Sequence, residues 1–131
     1  MRMSDPNTRR PRVLLVDDYS DARDMYRAYL ELCGFDVVEA VNGADALLRA
    51  RDERPDIILM DLSLPVMDGW EATRRLKEDP RTADIPILVL TGQGAAESLL
   101  GQGSGPWDGF VAKPCLPEDL VRAIRVLLNA G

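Results

Sequence analysis

The run Ile57-Ile58-Leu59-Met60 constrains this chain more than any other feature, because it is apolar at every position. A strand with one face in water alternates apolar and polar residues, so an unbroken apolar run of strand length fits a strand covered on both faces. This run, Asp56–Met60, is the third of five. The others are Arg12–Val16, Asp36–Val41, Ile87–Leu90 and Gly109–Ala112, each short and rich in Leu or β-branched residues. The segments between them have helical spacing. Such alternation, repeated five times, predicts an α/β fold: a doubly wound five-stranded parallel sheet with helices on both faces.

The helical segments carry their own punctuation. Ala22, Met25, Tyr26, Tyr29 and Cys33 recur at i, i+3, i+4, i+7 and i+11, which predicts a helix over Ser20–Cys33 with those residues inward. Ser20 stands where an N-cap belongs, and Gly34 follows as the stop. Asn42 can cap Gly43–Asp52, which Pro55 ends. Gly69–Glu78 puts Trp70, Thr73 and Leu76 on one face, and Asp79-Pro80 terminates it. Pro117 opens a last helix with Leu120, Ala123, Ile124 and Leu127 inward. The remaining helix should lie after the fourth strand, where glycines stand at 92, 94, 101, 103 and 105. Each interior glycine costs about 1 kcal/mol relative to alanine, so only Ala95–Leu100 suits a helix. A short or mobile helix is expected there, with Trp107 as a local anchor.

Composition removes several function classes. A chain of 131 residues is one domain's worth, and 46% hydrophobic residues suffice for a core. The net charge of −6 disfavours direct binding to nucleic acid. The absence of histidine excludes Ser-His-Asp and Cys-His catalysis and His-ligated metals. Cys33 and Cys115 form no C-x-x-C motif, and they read as reduced, buried thiols of a cytoplasmic protein. No apolar run approaches the roughly 20 residues that span a bilayer, so no membrane insertion is expected. The polar stretch Met1–Pro11 is expected to be a flexible leader, residues 1–11, ahead of one domain at 12–131.

The polar residues that could do chemistry fall where the strands end: Asp17-Asp18 after the first, Asp61 after the third, Thr91 after the fourth and Lys113 after the fifth. Open α/β sheets bind ligands outside the carboxyl ends of their strands, so these residues should converge. Like-charged carboxylates at 4 Å repel by about 1 kcal/mol in water and about 4 at an effective dielectric of 20. A hard divalent cation such as Mg²⁺ offsets that repulsion. A lysine and a hydroxyl opposite it suit phosphoryl oxygens, and a carboxylate can itself be the nucleophile. The set therefore describes a phosphoryl-transfer site.

These residues sit in a sequence that resembles the receiver domain of two-component response regulators. The resemblance rests on V-L-L-V-D-D (Val13–Asp18), D-I-I-L-M-D-L-S-L-P-V-M-D-G (Asp56–Gly69), D-I-P-I-L-V-L-T (Asp84–Thr91) and K-P (Lys113-Pro114). It implies a flavodoxin-like (βα)5 sheet in the order 2-1-3-4-5. It further implies that Asp61 accepts the phosphoryl group, and that Asp17, Asp18 and Asp61, with the backbone carbonyl of Ser63, hold Mg²⁺ (or Mn²⁺ in its place). Thr91 and Phe110 would be the switch pair, Lys113 the phosphate-binding lysine, and Ser63 and Gln93 the positions that tune dephosphorylation. Gly92, Pro65 and Gly69 match small or loop-shaping positions around the pocket. The implied donor is a phosphohistidine on a sensor histidine kinase or histidine phosphotransfer protein. The implied outcome is altered binding to a downstream protein, or a phosphorylation-dependent homodimer, rather than enzymatic turnover. Because the sequence stops after the last helix, a stand-alone receiver is expected.

Two departures touch the face that would signal: Pro106-Trp107 precede the fifth strand, and Cys115 follows Lys113-Pro114. They leave a receiver acting without phosphorylation as an alternative. A Mg²⁺-dependent hydrolase working through an aspartyl phosphate is a weaker one, since Asp61-Leu62-Ser63 lacks the second acid of a D-x-D motif. A flavin carrier is disfavoured, because Asp17-Asp18 would repel a phosphate.

Overall fold

The computed structural model describes residues 10–62, 69–92, 106–113 and 115–130. They form β1 (Arg12–Val16), α1 (Ser20–Leu32), β2 (Asp36–Ala40), α2 (Gly43–Glu53), β3 (Ile57–Asp61), α3 (Gly69–Glu78), β4 (Ile87–Gly92), β5 (Gly109–Lys113) and α4 (Pro117–Ala130). The five strands pair in parallel in the order β2-β1-β3-β4-β5. This is the expected sheet, and Ala95–Leu100, where a further helix was expected, lies outside the described residues.

The unbroken apolar runs have a direct physical explanation. Alternate residues of the three inner strands enter opposite cores. Leu14, Val16, Ile58, Met60, Ile87 and Val89 pack with Ala46 and Ala50 of α2 and Ala72 and Leu76 of α3. Val13, Leu15, Ile57, Leu59, Leu88 and Leu90 pack with Tyr26 and Leu30 of α1 and Leu120, Val121 and Ile124 of α4. With both sheet faces covered, the positions inside these strands are buried, and only Arg12 and Gly92 at the strand ends reach solvent. Full burial of an apolar side chain stabilises by roughly 1.5–3 kcal/mol.

Several helix ends behave as their residues dictate. After α1, Phe35 N–H donates to Leu30 O (3.0 Å) and Gly34 N–H to Glu31 O (3.2 Å), the paired bonds of a Schellman stop. Gly34 takes φ +98° there, which costs an L side chain dearly. Asn42 Oδ1 accepts from Asp45 N–H (2.8 Å), while Asp45 Oδ2 accepts from Val41 N–H (3.1 Å), so α2 starts with a reciprocal cap.

Three expectations fail. Ser20 is the first helical residue and not the cap; Tyr19 holds that position without a side-chain bond. The reason is Asp17, whose Oδ1 takes the Tyr19 N–H (2.9 Å) and sets the turn into α1. Met25 is half exposed, because Leu30 takes the inward place together with Tyr26. Trp70 lies at the surface, 37% exposed, and meets Trp107 edge-on at 4.9 Å between ring centroids. Trp107 thus has a partner in α3, on the helix face that also carries the buried Thr73 and Leu76. It packs with Phe110 against the α2–α3 core, and Lys77 of α3 secures the same stretch through Asp108 Oδ2 (2.8 Å).

Glu39 joins β2 to α1, accepting from Arg23 Nε (2.9 Å) and from Arg27. Partial burial pushes its carboxyl pKa up, but the bonds from Arg27 and Arg23 outweigh this and hold it below the usual carboxylate range. A carboxyl with a lowered folded pKa adds stability above its unfolded pKa and loses it as pH falls through the folded value. The wild-type protein should therefore lose more urea resistance than Glu39→Gln between about pH 6 and about pH 3. Equal losses in paired urea titrations would contradict this.

Candidate functional site

Parallel pairing puts the strand ends level. Val16 is in register with Met60, Asp61 with Leu90, and Thr91 with Ala112. The residue after β1, the last residues of β3 and β5, and Thr91 near the end of β4 therefore meet at one edge. Asp17, Asp18 and Asp61 each offer a carboxylate oxygen, all within 4.8 Å of one another. Asp17 and Asp61 are buried, while Asp18 faces solvent. Lys113 Nζ lies 3.2 Å from Asp61 Oδ2 and 3.9 Å from Asp17 Oδ2, so it bonds the first and only balances the charge of the second. Thr91 is buried, its hydroxyl making a long 3.4 Å bond to the Gly92 carbonyl.

Asp17 is the strained member. Burial pushes its carboxyl pKa up, the bond from Tyr19 and the charge of Lys113 oppose this, and the charges of Asp61 and Asp18 add to it. Its Oδ2 is buried with no hydrogen-bond partner among the described residues. A buried carboxylate oxygen left unbonded is costly, and a cation would satisfy it. The donors are all hard carboxylate oxygens, which fit Mg²⁺ or Mn²⁺ and not a thiol- or imidazole-seeking metal. Ser63, expected to add a carbonyl, and Gln93 lie outside the described residues, as do Pro65 and Pro114.

Gly69 opens α3 directly against the site. A Cβ there would stand 2.4 Å from the Asp61 carbonyl oxygen and 2.6 Å from Leu62 Cα, so only glycine fits. Phe110, the expected switch aromatic, is half-buried on the α2–α3 side of the sheet beside Trp107.

The sequence reading missed some neighbours. Arg23 Nη1 donates to the Asp17 carbonyl (2.8 Å), joining the site to Glu39. The spacing of Arg23 six residues after Asp17 carries no signal by itself. Burial first, then the neighbouring Cys115, pushes the Tyr26 phenol pKa up to about 12. Burial also pushes the Cys115 thiol up, against the opposing influence of Tyr26, which makes it a poor nucleophile. Cys33 and Cys115 are both free, and half-buried rather than fully buried.

A doubly wound sheet that gathers acids and a lysine at its carboxyl edge, in a chain without histidine, defines a class: the phosphoacceptor signalling modules. Comparison with known proteins agrees. The response regulator receiver domain model matches residues 13–125, and the chain belongs to that family. Protein PilH of Pseudomonas aeruginosa is 37% identical over 120 residues, covering 89% of this chain and 97% of PilH. The DNA-binding dual master transcriptional regulator RpaA of Synechocystis is 37% identical over 119 residues, covering 91% of this chain and 49% of RpaA. The chain thus spans about half the length of RpaA, and likewise 51% of the phosphate regulon regulator PhoB of P. aeruginosa. Among solved structures, chemotaxis response regulator CheY4 of Vibrio cholerae superposes with a TM-score of 0.81 at 31% identity, covering 88% of this chain and 97% of CheY4. The receiver domain of a sensor histidine kinase from P. aeruginosa PAO1 gives 0.80 at 31% identity, covering 93% and 99%. That crystal structure has a magnesium ion coordinated in the active site cleft.

Three outcomes follow from this geometry. Asp18→Asn should raise the urea midpoint in EDTA, because it relieves carboxylate repulsion. Added Mg²⁺ should raise the wild-type midpoint and leave that of the variant nearly unmoved. Gly69→Ala should cost about 1–3 kcal/mol in the same assay, since backbone and not a flexible side chain blocks the added methyl.

Proposed function

We propose that Asp61 accepts a phosphoryl group from a phosphohistidine on a sensor histidine kinase or histidine phosphotransfer protein, and that the phosphorylated chain changes its binding to a downstream protein. The observation that carries this reading is the contact of Lys113 Nζ with Asp61 Oδ2 (3.2 Å) beside a cluster of carboxylates containing one unsatisfied buried oxygen. An Asp61 carboxylate oxygen attacks phosphorus, the nitrogen–phosphorus bond breaks, and the imidazole leaves with that electron pair. The Lys113 ammonium neutralises phosphoryl oxygens, and the Thr91 hydroxyl turns to donate to one of them. Mg²⁺, or Mn²⁺, held by Asp17, Asp18, Asp61 and the Ser63 carbonyl supplies the positive charge that lets an anionic phosphoryl group enter an anionic pocket.

The product carries about 1.5 to 2 negative charges where the carboxylate carried one. Thr91 answers that change, and Phe110 moves with it. Trp107 packs against the same core as Phe110, so the movement reaches the surface at Trp70. Ser63 and Gln93 tune water attack on the aspartyl phosphate. The chain catalyses its own phosphorylation and dephosphorylation without turning over an external substrate, and it works in the cytoplasm. Residues 12–131 act as one receiver domain behind a leader at 1–11. Its surfaces, on a chain of net charge −6, suit protein partners or a phosphorylation-dependent homodimer rather than nucleic acid.

Intact mass after incubation with Mg²⁺ and acetyl phosphate tests the reading. One phosphoryl group should add to the wild-type chain and none to Asp61→Asn or to the wild type in EDTA. No addition under any condition would favour a receiver that acts without phosphorylation, and sustained hydrolysis of a phosphomonoester would favour the hydrolase.

A further inference from the structure

Asp17 has four polar groups, and the fold fastens three. Its N–H donates to Ala40 O on β2 (3.2 Å), its Oδ1 accepts from Tyr19 N–H (2.9 Å), and its carbonyl accepts from Arg23 Nη1 (2.8 Å). Only Oδ2 is left, buried and without a hydrogen bond among the described residues. The Arg23 contact differs from the other two because a side chain makes it. Arg23 stands in the first turn of α1 with its side chain only 15% exposed, and its Nε is fastened to Glu39 Oε1 on β2 (2.9 Å). One planar guanidinium thus bridges a carboxylate and the carbonyl that links Asp17 to Asp18.

We propose that Arg23, backed by Glu39, is a positioning residue for the divalent cation at Asp17, Asp18 and Asp61. The inference rests on the metal reading given above. Fixing the Asp17 carbonyl fixes the plane of the peptide between the two acids, and so the directions from which both carboxylates approach. The electrostatics favour this assignment over a simple brace. A bare guanidinium beside a cation site would repel the cation. Here Glu39 accepts from Arg23 and Arg27, and Glu31 also accepts from Arg27 (3.3 Å), so two carboxylates balance two guanidiniums and the pocket gains a rigid hydrogen bond with little added positive field. A lysine in place of Arg23 has the charge but not the fork that reaches both acceptors. Outer partners of metal ligands typically govern affinity by 10–100-fold.

The test uses the full chain and two independent readouts: Mg²⁺ affinity by titration calorimetry and the urea midpoint in EDTA. Arg23→Ala should weaken Mg²⁺ binding by about tenfold or more, and Arg23→Lys by a smaller but measurable factor. Glu39→Gln should weaken it as well, by leaving the charge of Arg23 uncompensated. A brace with no part in metal binding would lower the urea midpoint and leave the Mg²⁺ Kd untouched, and that result overturns the proposal. If Arg23→Ala does not fold, a wild-type Kd in Arg23→Lys overturns it equally. Failure of the underlying metal reading looks different: the wild-type chain itself would show no Mg²⁺ binding, and Asp18→Asn would match it.

Discussion

Coverage of the sheet on both faces governs this structure. β1, β3 and β4 send alternate residues into two separate cores, so no charged side chain can stand inside them without the cost of burying an unpaired ion. The first positions that accept charge are the strand ends. Parallel pairing then brings those ends together: the residue after Val16 is level with Asp61, and Thr91 and Lys113 stand one and two residues further along. The acidic cluster follows from the layer architecture. A single-faced sheet would have spread the same residues over a solvated surface.

That coincidence creates a local conflict. Carboxylates gathered within 4.8 Å repel, and burial raises the cost for Asp17. Lys113 answers part of it from β5, but at 3.9 Å it cannot bond Asp17 Oδ2. The pocket therefore holds like charges whose repulsion a bound cation would relieve, in a frame fixed by several hydrogen bonds. Gly69 belongs to that frame because its missing side chain lets α3 start against the Asp61 carbonyl. Arg23 reaches the Asp17 carbonyl from α1, and Tyr19 supplies the N–H that holds Oδ1.

Much of this was legible in the sequence because it rests on short-range pattern. Unbroken apolar runs mark the inner strands, Gly34 and Asn42 mark helix ends, and an acid or lysine directly after a run marks the site edge. Contacts between residues distant in sequence were not legible. Arg23 meets Glu39 only once α1 folds over β2. Ser20 looked like a cap because Ser commonly caps, yet Asp17 claims the turn first. Met25 fits the helical repeat as well as Leu30 does, and only packing against β1 and β3 decides between them. Trp70 shares a helix face with Thr73 and Leu76, but its partner Trp107 belongs to the segment before β5, and no local pattern pairs the two.

The Trp70–Trp107 pair also bears on how a change at the site could travel. Trp107 and Phe110 are three residues apart at the start of β5 and pack on one core with Val89 of β4, two residues before Thr91. Packed interiors respond to displacement by moving between discrete arrangements rather than by yielding smoothly. A shift at Thr91 would thus be felt first by Phe110 and then by the edge-on indoles. Trp70 is partly exposed and rooted in α3 immediately after Gly69, which abuts Asp61. The pair therefore joins two routes out of the same pocket, one through β4 and β5 and one through α3. A chain with glycines at 92, 94, 101, 103 and 105 has little local helix propensity between those routes. The edge-on contact of the two indoles, between α3 and the segment before β5, is the tertiary link through which such a shift would pass.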